Sequence, residues 1–86
     1  MHEQAVMERL MRAIEDAADG QRVTRIRVRL GALSHFTPEH FREHFEDASR
    51  GTPAEGAEVE AELATDPTEP DAQGVRLLSI DVEEPG

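Results

Sequence analysis

From Glu3 to Asp19 the apolar residues Val6, Met7, Leu10, Met11, Ile14, Ala17 and Ala18 recur three and four positions apart, with Glu8, Arg9, Arg12, Glu15 and Asp16 between them. That spacing paints one stripe of an α-helix, and Gly20 supplies its stop. A Met7/Met11 pair would also suit a soft-metal stripe, but helical spacing is what core packing requires, and the pair is assigned to the core. Val23 to Leu30 changes to period two. Thr24, Ile26, Val28 and Leu30 point one way and Arg25, Arg27 and Arg29 the other, which predicts a half-buried strand. After the loop GALSHFTP, Thr37 is placed as N-cap and Pro38 as first residue of a second helix running to about Ser49, with Phe41, Phe45 and Ala48 inward. Gly51 ends it.

GTPAEGA leads to a second strand in which Val59, Ala61 and Leu63 alternate with Glu58, Glu60 and Glu62. TDPTEPDAQG is a loop, and Val75 to Glu83 forms a third strand with Leu78, Ile80 and Val82 inward. The fold class that follows is α+β, in the order α-β-α-β-β: two helices packed on one face of a three-stranded mixed sheet. Strand one to strand two through a helix predicts a parallel, right-handed crossover, and the short loop before strand three predicts an antiparallel return. Strand order stays open. Three arginines would then face three glutamates on the open side of the sheet, and opposite-charge pairing favours that register.

Length and composition narrow the picture. The 86 residues suit one domain with a thin core, which leaves little room for a deep catalytic cleft. Cysteine is absent, so the chain carries neither a disulfide framework nor a thiolate zinc site. No apolar run reaches the length of a membrane span and the first fifteen residues are too charged for a signal peptide, so a cytoplasmic, non-membrane protein is expected. The net charge is −10, with nine acids and eight arginines in residues 1–50 but ten acids and only Arg76 in residues 51–86. An acidic surface repels phosphate backbones, which argues against nucleic acid as a partner.

The chain opens Met1-His2-Glu3. A free α-amine, the amide nitrogen of residue two and Nδ1 of a histidine at residue two close a five-membered and a six-membered chelate ring around one metal in a plane. Nickel(II) and copper(II) suit such nitrogen-rich tetragonal sites, whereas zinc prefers a tetrahedron. The fourth corner would fall to the Glu3 amide or carboxylate, to water or to another histidine. Methionine removal needs a small second residue, so His2 keeps Met1 in place. Any protein can carry histidine second, and these residues by themselves leave chelation open.

MHE at the start, VTRIRVRLGALS on the first strand, TPEHFREHFEDASRGTPAEGAEVE across the second helix and strand, and VRLLSIDVEE near the end together resemble the HypA/HybF family of nickel metallochaperones, which serve hydrogenase and urease maturation. The likeness covers the chain to Leu63 and resumes at about Val75. It implies a single nickel-binding domain over residues 1–86, with Ni(2+) held at Met1, His2 and Glu3. It also implies a maturation GTPase and the hydrogenase large-subunit precursor as partners. Family members usually insert a zinc domain with two Cys-x-x-Cys pairs between the last two strands, and here the short loop 65–74 stands in its place. Without thiolates no structural zinc is expected.

His40-x-x-Glu43-His44 matches the H-x-x-E-H pattern of inverted zinc proteases, with both histidines on one helical face. Against a hydrolase stand the missing third ligand, the missing cleft and the commitment of Phe41 and Phe45 to the core. No other catalytic arrangement is recognisable, and the domain is read as no enzyme. His35, His40 and His44 are read as a solvated helix flank; the alternative is that, helped by Asp47, they form an auxiliary nickel site or lend the fourth nickel ligand. The other function class is a metal-independent adaptor that binds a maturation GTPase or enzyme precursor.

Overall fold

A computed structural model describes residues 2–70 and 72–83, with side chains from residue 4 onward. Its elements are α1 (His2–Ala18), β1 (Val23–Leu30), α2 (Pro38–Ser49), β2 (Glu58–Leu63) and β3 (Val75–Val82). The order is the expected one. On α1 the buried positions are Met7, Leu10, Met11, Ile14 and Ala18, one stripe at helical spacing. Ala17, placed in that stripe by its apolarity, is exposed. The helix ends as Asp19 and Gly20 turn to φ 49° and 83°, a left-handed exit that favours glycine at the second of these positions. Thr37 caps α2 in extended backbone, and its hydroxyl accepts from the His40 amide at 3.1 Å. Phe41 and Phe45 are buried, Ala48 is half-buried, and Ser49 closes the stripe.

The sheet order is β2-β1-β3. β1 pairs with β2 in parallel, as the helical crossover requires, and with β3 antiparallel. The antiparallel return therefore lands beside β1 and not beside β2. Residues 64–74 carry the chain across the end of β1, tied there by hydrogen bonds from Ala64 N to Leu30 O, from Gly31 N to Gly74 O and from Leu33 N to Ala72 O, at 2.7–2.9 Å. The helices, whose buried stripes join one cluster with Val23, Ile26, Val28, Leu30 and Phe36, cover one face.

On the other face the parallel register sets Arg25 beside Glu58, Arg27 beside Glu60 and Arg29 beside Glu62, so the expected charge ladder forms. Arg25 Nη2 lies 3.2 Å from Glu58 and Arg27 Nε 2.6 Å from Glu60, while Arg29 Nη1 contacts Glu62 directly. Such exposed pairs are worth about 0.2–1 kcal/mol each, and the arginine stems also cover the sheet face that no helix reaches.

Two register shifts between β1 and β3 correct the inward assignments. Val23 pairs with Val82 but Arg25 with Asp81, which leaves Thr24 as an extra residue; it is exposed and its hydroxyl donates to the Asp81 carbonyl. Arg27 pairs with Ser79 but Val28 with Leu77, so Leu78 bulges outward, 45% exposed, and Leu77 takes the inward position. Each bulge flips the side-chain parity beyond it, which period-two reading carries straight through. Leu63 does pair with inward-facing Leu30, yet it is 52% exposed, at the end of an edge strand.

The bulge makes two neighbouring leucines unequal. Leu77→Ser should cost about 2 kcal/mol by placing a hydroxyl against the core, whereas Leu78→Ser should change stability by about 0.5 kcal/mol or less. Urea unfolding of the two variants checks this, and equal losses would place the bulge elsewhere.

Candidate metal centre

α1 begins at His2, so the backbone of His2 and Glu3 forms its first turn. An α-helix leaves its first four N–H groups without an acceptor in its own ladder, and here these include the amides of His2 and Glu3. The helix's own ladder therefore does not use either nitrogen. Met1 and the side chains of His2 and Glu3 lie outside the described residues and side chains.

The other histidines divide into one and two. His35 sits in the β1–α2 loop with φ 66° and is exposed. Its backbone is turned back by a Ser34 N to Gly31 O bond at 3.0 Å, and Phe36, the next residue, is buried in the core. His40 and His44, one helical turn apart on α2 and half-buried, meet with Nε2 to Nε2 at 2.8 Å and ring centroids 4.6 Å apart. Phe36 sets its ring edge-on to both, with centroids at 5.7 Å from His40 and 6.0 Å from His44. The pair is therefore aimed and walled by a core residue.

The three-histidine cluster does not form: among the described residues no group of three or more His, Cys, Asp or Glu gathers in metal-binding reach. Asp47, assigned as a helper, is an ion-pair partner of Arg50 at 2.8 Å. Glu43, the carboxylate of the H-x-x-E-H pattern, is exposed. A protease-like zinc centre thus lacks its third ligand among the described residues.

Electrostatically the strongest feature lies on the open face of the sheet, at the end of β1. Arg29 reaches beyond Glu62 to Glu69, with Nη2 to Oε1 at 2.6 Å and Nε to Oε2 at 3.2 Å. Those hydrogen bonds, Glu69 first and Glu62 second, make the guanidinium hold its proton more tightly than usual. Asp66 accepts from the Thr68 hydroxyl at 2.6 Å and the Thr68 amide at 2.9 Å, and these hydrogen bonds hold its carboxyl below the usual carboxylate range. Sequence reading treated 65–74 as loop and missed Glu69 as a clamp for β1. The D-x-T pattern at 66–68 was the available signal for the turn itself.

Compared with known proteins, residues 1–68 match the model of the family described as "Hydrogenase/urease nickel incorporation, metallochaperone, hypA". The chain belongs to the HypA family. It is 42% identical over 66 residues to a hydrogenase maturation factor HypA of Methylocella silvestris, covering 73% of this chain and 58% of that one. It is 45% identical over 62 residues to the HypA of Xanthobacter autotrophicus, covering 69% and 55%. With the HypA of Methanopyrus kandleri it shares 35% over 66 residues, covering 73% and 46%. The chain spans about half the length of these relatives. The family description is that of a metallochaperone and agrees with the reading that this domain is no enzyme. The matched stretch takes in α1, β1, α2 and β2 together with the Met1-His2-Glu3 start. It also takes in RGTPAEGAE, whose role is structural: Thr52 accepts from Ala54 N and donates to Ser49 O, Ala54 is buried, and Pro53 O accepts from Val23 N. Among the described residues no helix is long and apolar enough to cross a membrane.

Thr68→Val removes the hydroxyl that holds Asp66 ionised, so the Asp66 carboxyl should titrate at higher pH in the variant. Because its folded-state value is lowered, Asp66 contributes stability that is present above its unfolded value and lost as pH falls through the folded one. Carboxyl-carbon NMR titration of both proteins reads the shift, and identical curves would remove the hydroxyl from the account.

Proposed function

We propose that this domain binds one nickel(II) ion at its chain start and hands it on during maturation of a nickel-iron hydrogenase, with urease as the other candidate recipient. Membership of a nickel-incorporation family supports the metal and the pathway. The observation that carries the reading at the level of chemistry is the start of α1 at His2. Planar chelation replaces the amide proton of residue two by the metal. In a helix interior that would destroy a ladder hydrogen bond. At the first residue of α1 the amide has no bond in the ladder to lose, so metal uptake and helix formation do not compete.

In this reading Met1 contributes its amine, His2 its amide nitrogen and Nδ1, and Glu3 an amide or carboxylate group. Nickel is cargo. A site at a chain end releases its ligands one at a time to an acceptor, which suits transfer better than storage. The partners are a GTPase of the maturation pathway and the hydrogenase large-subunit precursor, met in the cytoplasm. Loop 65–74 takes the place of a zinc module between β2 and β3, and the Arg29–Glu69 clamp supports an ordered crossing there without metal. The domain then needs no structural zinc.

Acetylating the Met1 amine removes the anchor of the chelate, His2→Ala removes its imidazole, and both leave the core untouched. Calorimetric titration of untagged protein should give one tightly bound nickel per chain, lost on acidification as protons compete for the amine and imidazole lone pairs. The acetylated protein and His2→Ala should lose that tight binding while their metal-free melting temperatures stay at the wild-type value. Copper(II) should bind the same site more tightly than nickel, following the Irving–Williams order. Undiminished tight uptake by both altered proteins would overturn the proposal.

A further inference from the structure

The geometry points to a second metal site on α2, a two-histidine clip made by Nε2 of His40 and Nε2 of His44 that takes one divalent ion of the copper and nickel type. Its two ligands are not those assigned to the terminal chelate, and it is tested with that chelate removed. Its first support is distance. The two nitrogens are 2.8 Å apart. An ion held at about 2.0–2.1 Å by each of two nitrogens sets them about 2.9 Å apart at the cis corner of a square and about 3.3 Å apart on a tetrahedron. A hydrogen bond already holds the two nitrogens near either separation, so one ion can take both with little movement of the chain, and imidazole nitrogens suit copper(II) and nickel(II).

The second support is that the pair is positioned before any ion arrives. Residues four apart share one helical face, and the Thr37 cap on the His40 amide fixes the turn that presents them. Phe36, anchored in the core, stands edge-on to both rings at interplanar angles of 64° and 81°. An ion therefore meets rings already converged, and little side-chain freedom is lost on binding.

Metal-free, one Nε2 donates to the other, so one ring carries its proton on Nε2 and its partner presents a lone pair. Metal binding needs both lone pairs. With both rings neutral, the donor's proton leaves Nε2 and Nδ1 of the same ring gains one through solvent, so no net proton is released. Both histidines end as the Nδ1–H tautomer, and water fills the remaining corners of the plane. A two-nitrogen site of this kind holds its ion less tightly than a chelate of three nitrogens and exchanges it readily.

The test uses the full chain carrying His2→Ala, so that the terminal chelate loses its imidazole and only the clip is read. Cu2+ and Ni2+ titrated into this protein should each bind at one ion per chain, Cu2+ more tightly, and Zn2+ less tightly than Cu2+. Nitrogen-15 spectra of the imidazoles with Ni2+ should show His40 and His44 both converted to the Nδ1–H form. His40→Asn and His44→Asn should each weaken binding by more than the roughly 10–100-fold that loss of a ligand's supporting partner costs. His35→Asn and Glu43→Gln should leave it unchanged. If His40→Asn loses its metal-free melting transition, His44→Gln, which puts a good helix former in the middle of α2, carries the same reading. No binding by the His2→Ala protein, binding indifferent to His40 and His44, or tighter binding of Zn2+ than of Cu2+ would each overturn the clip. None of these outcomes bears on the terminal chelate, which is read only in the chain that keeps His2.

Discussion

Strand β1 is hydrogen-bonded along both edges, in parallel to β2 and antiparallel to β3, and carries the helices on one face and the arginines on the other. Every layer of the domain touches this one strand. Its register with β2 is under double selection: a slip of one residue would turn Glu58, Glu60 and Glu62 toward the apolar layer and bring Val59 and Ala61 opposite arginine. The charge pairs are each worth little, so they select the register more than they hold the sheet. Burial of Val23, Ile26, Val28 and Leu30 against the helices does the holding.

What was legible in the sequence followed from unbroken periodicity. Met7 to Ile14, Thr37-Pro38 and the Arg/Glu alternation each carry a local signal whose physical meaning does not depend on the rest of the fold, and each element came out where that signal put it. Two of the errors share one cause. Thr24 and Leu78 sit at bulges, and a bulge arises from how two strands far apart in sequence fit each other, a property neither strand contains alone. Strand order failed to appear for the same reason: nothing within β3 says that it will pair with β1 and not β2. Ala17 was misplaced because alanine is equally at home on either face of a helix.

The candidate centre divides in the same way. That His40 and His44 face each other follows from a spacing of four and was readable; that Phe36 would stand against both rings depends on the turn at His35, a non-glycine residue with positive φ, and was not. His35 had been grouped with the pair on residue type, but the same turn that sends Phe36 into the core leaves His35 facing outward. Glu69 was hidden inside a stretch whose composition says only loop, because its partner Arg29 lies forty residues away.

A domain this small meets a conflict that larger proteins avoid: each polar group turned inward for chemistry is taken from a core that has few residues to give. The two nitrogen sets discussed above avoid it in different ways. At the start of α1 the amides of His2 and Glu3 lie outside the helix's own ladder, so a ligand that took them there would remove no ladder hydrogen bond. On α2 the donors are side chains on the flank beside the buried stripe, and Phe36 serves the core and the histidines with the same ring. The requirement common to both is that the helices keep their N-terminal halves, since His2 and Glu3 open α1 and His40 and His44 stand within the first two turns of α2. Fraying there would disperse these nitrogens, whereas the pairing of β1 with β2 and its charge ladder lie elsewhere in the domain.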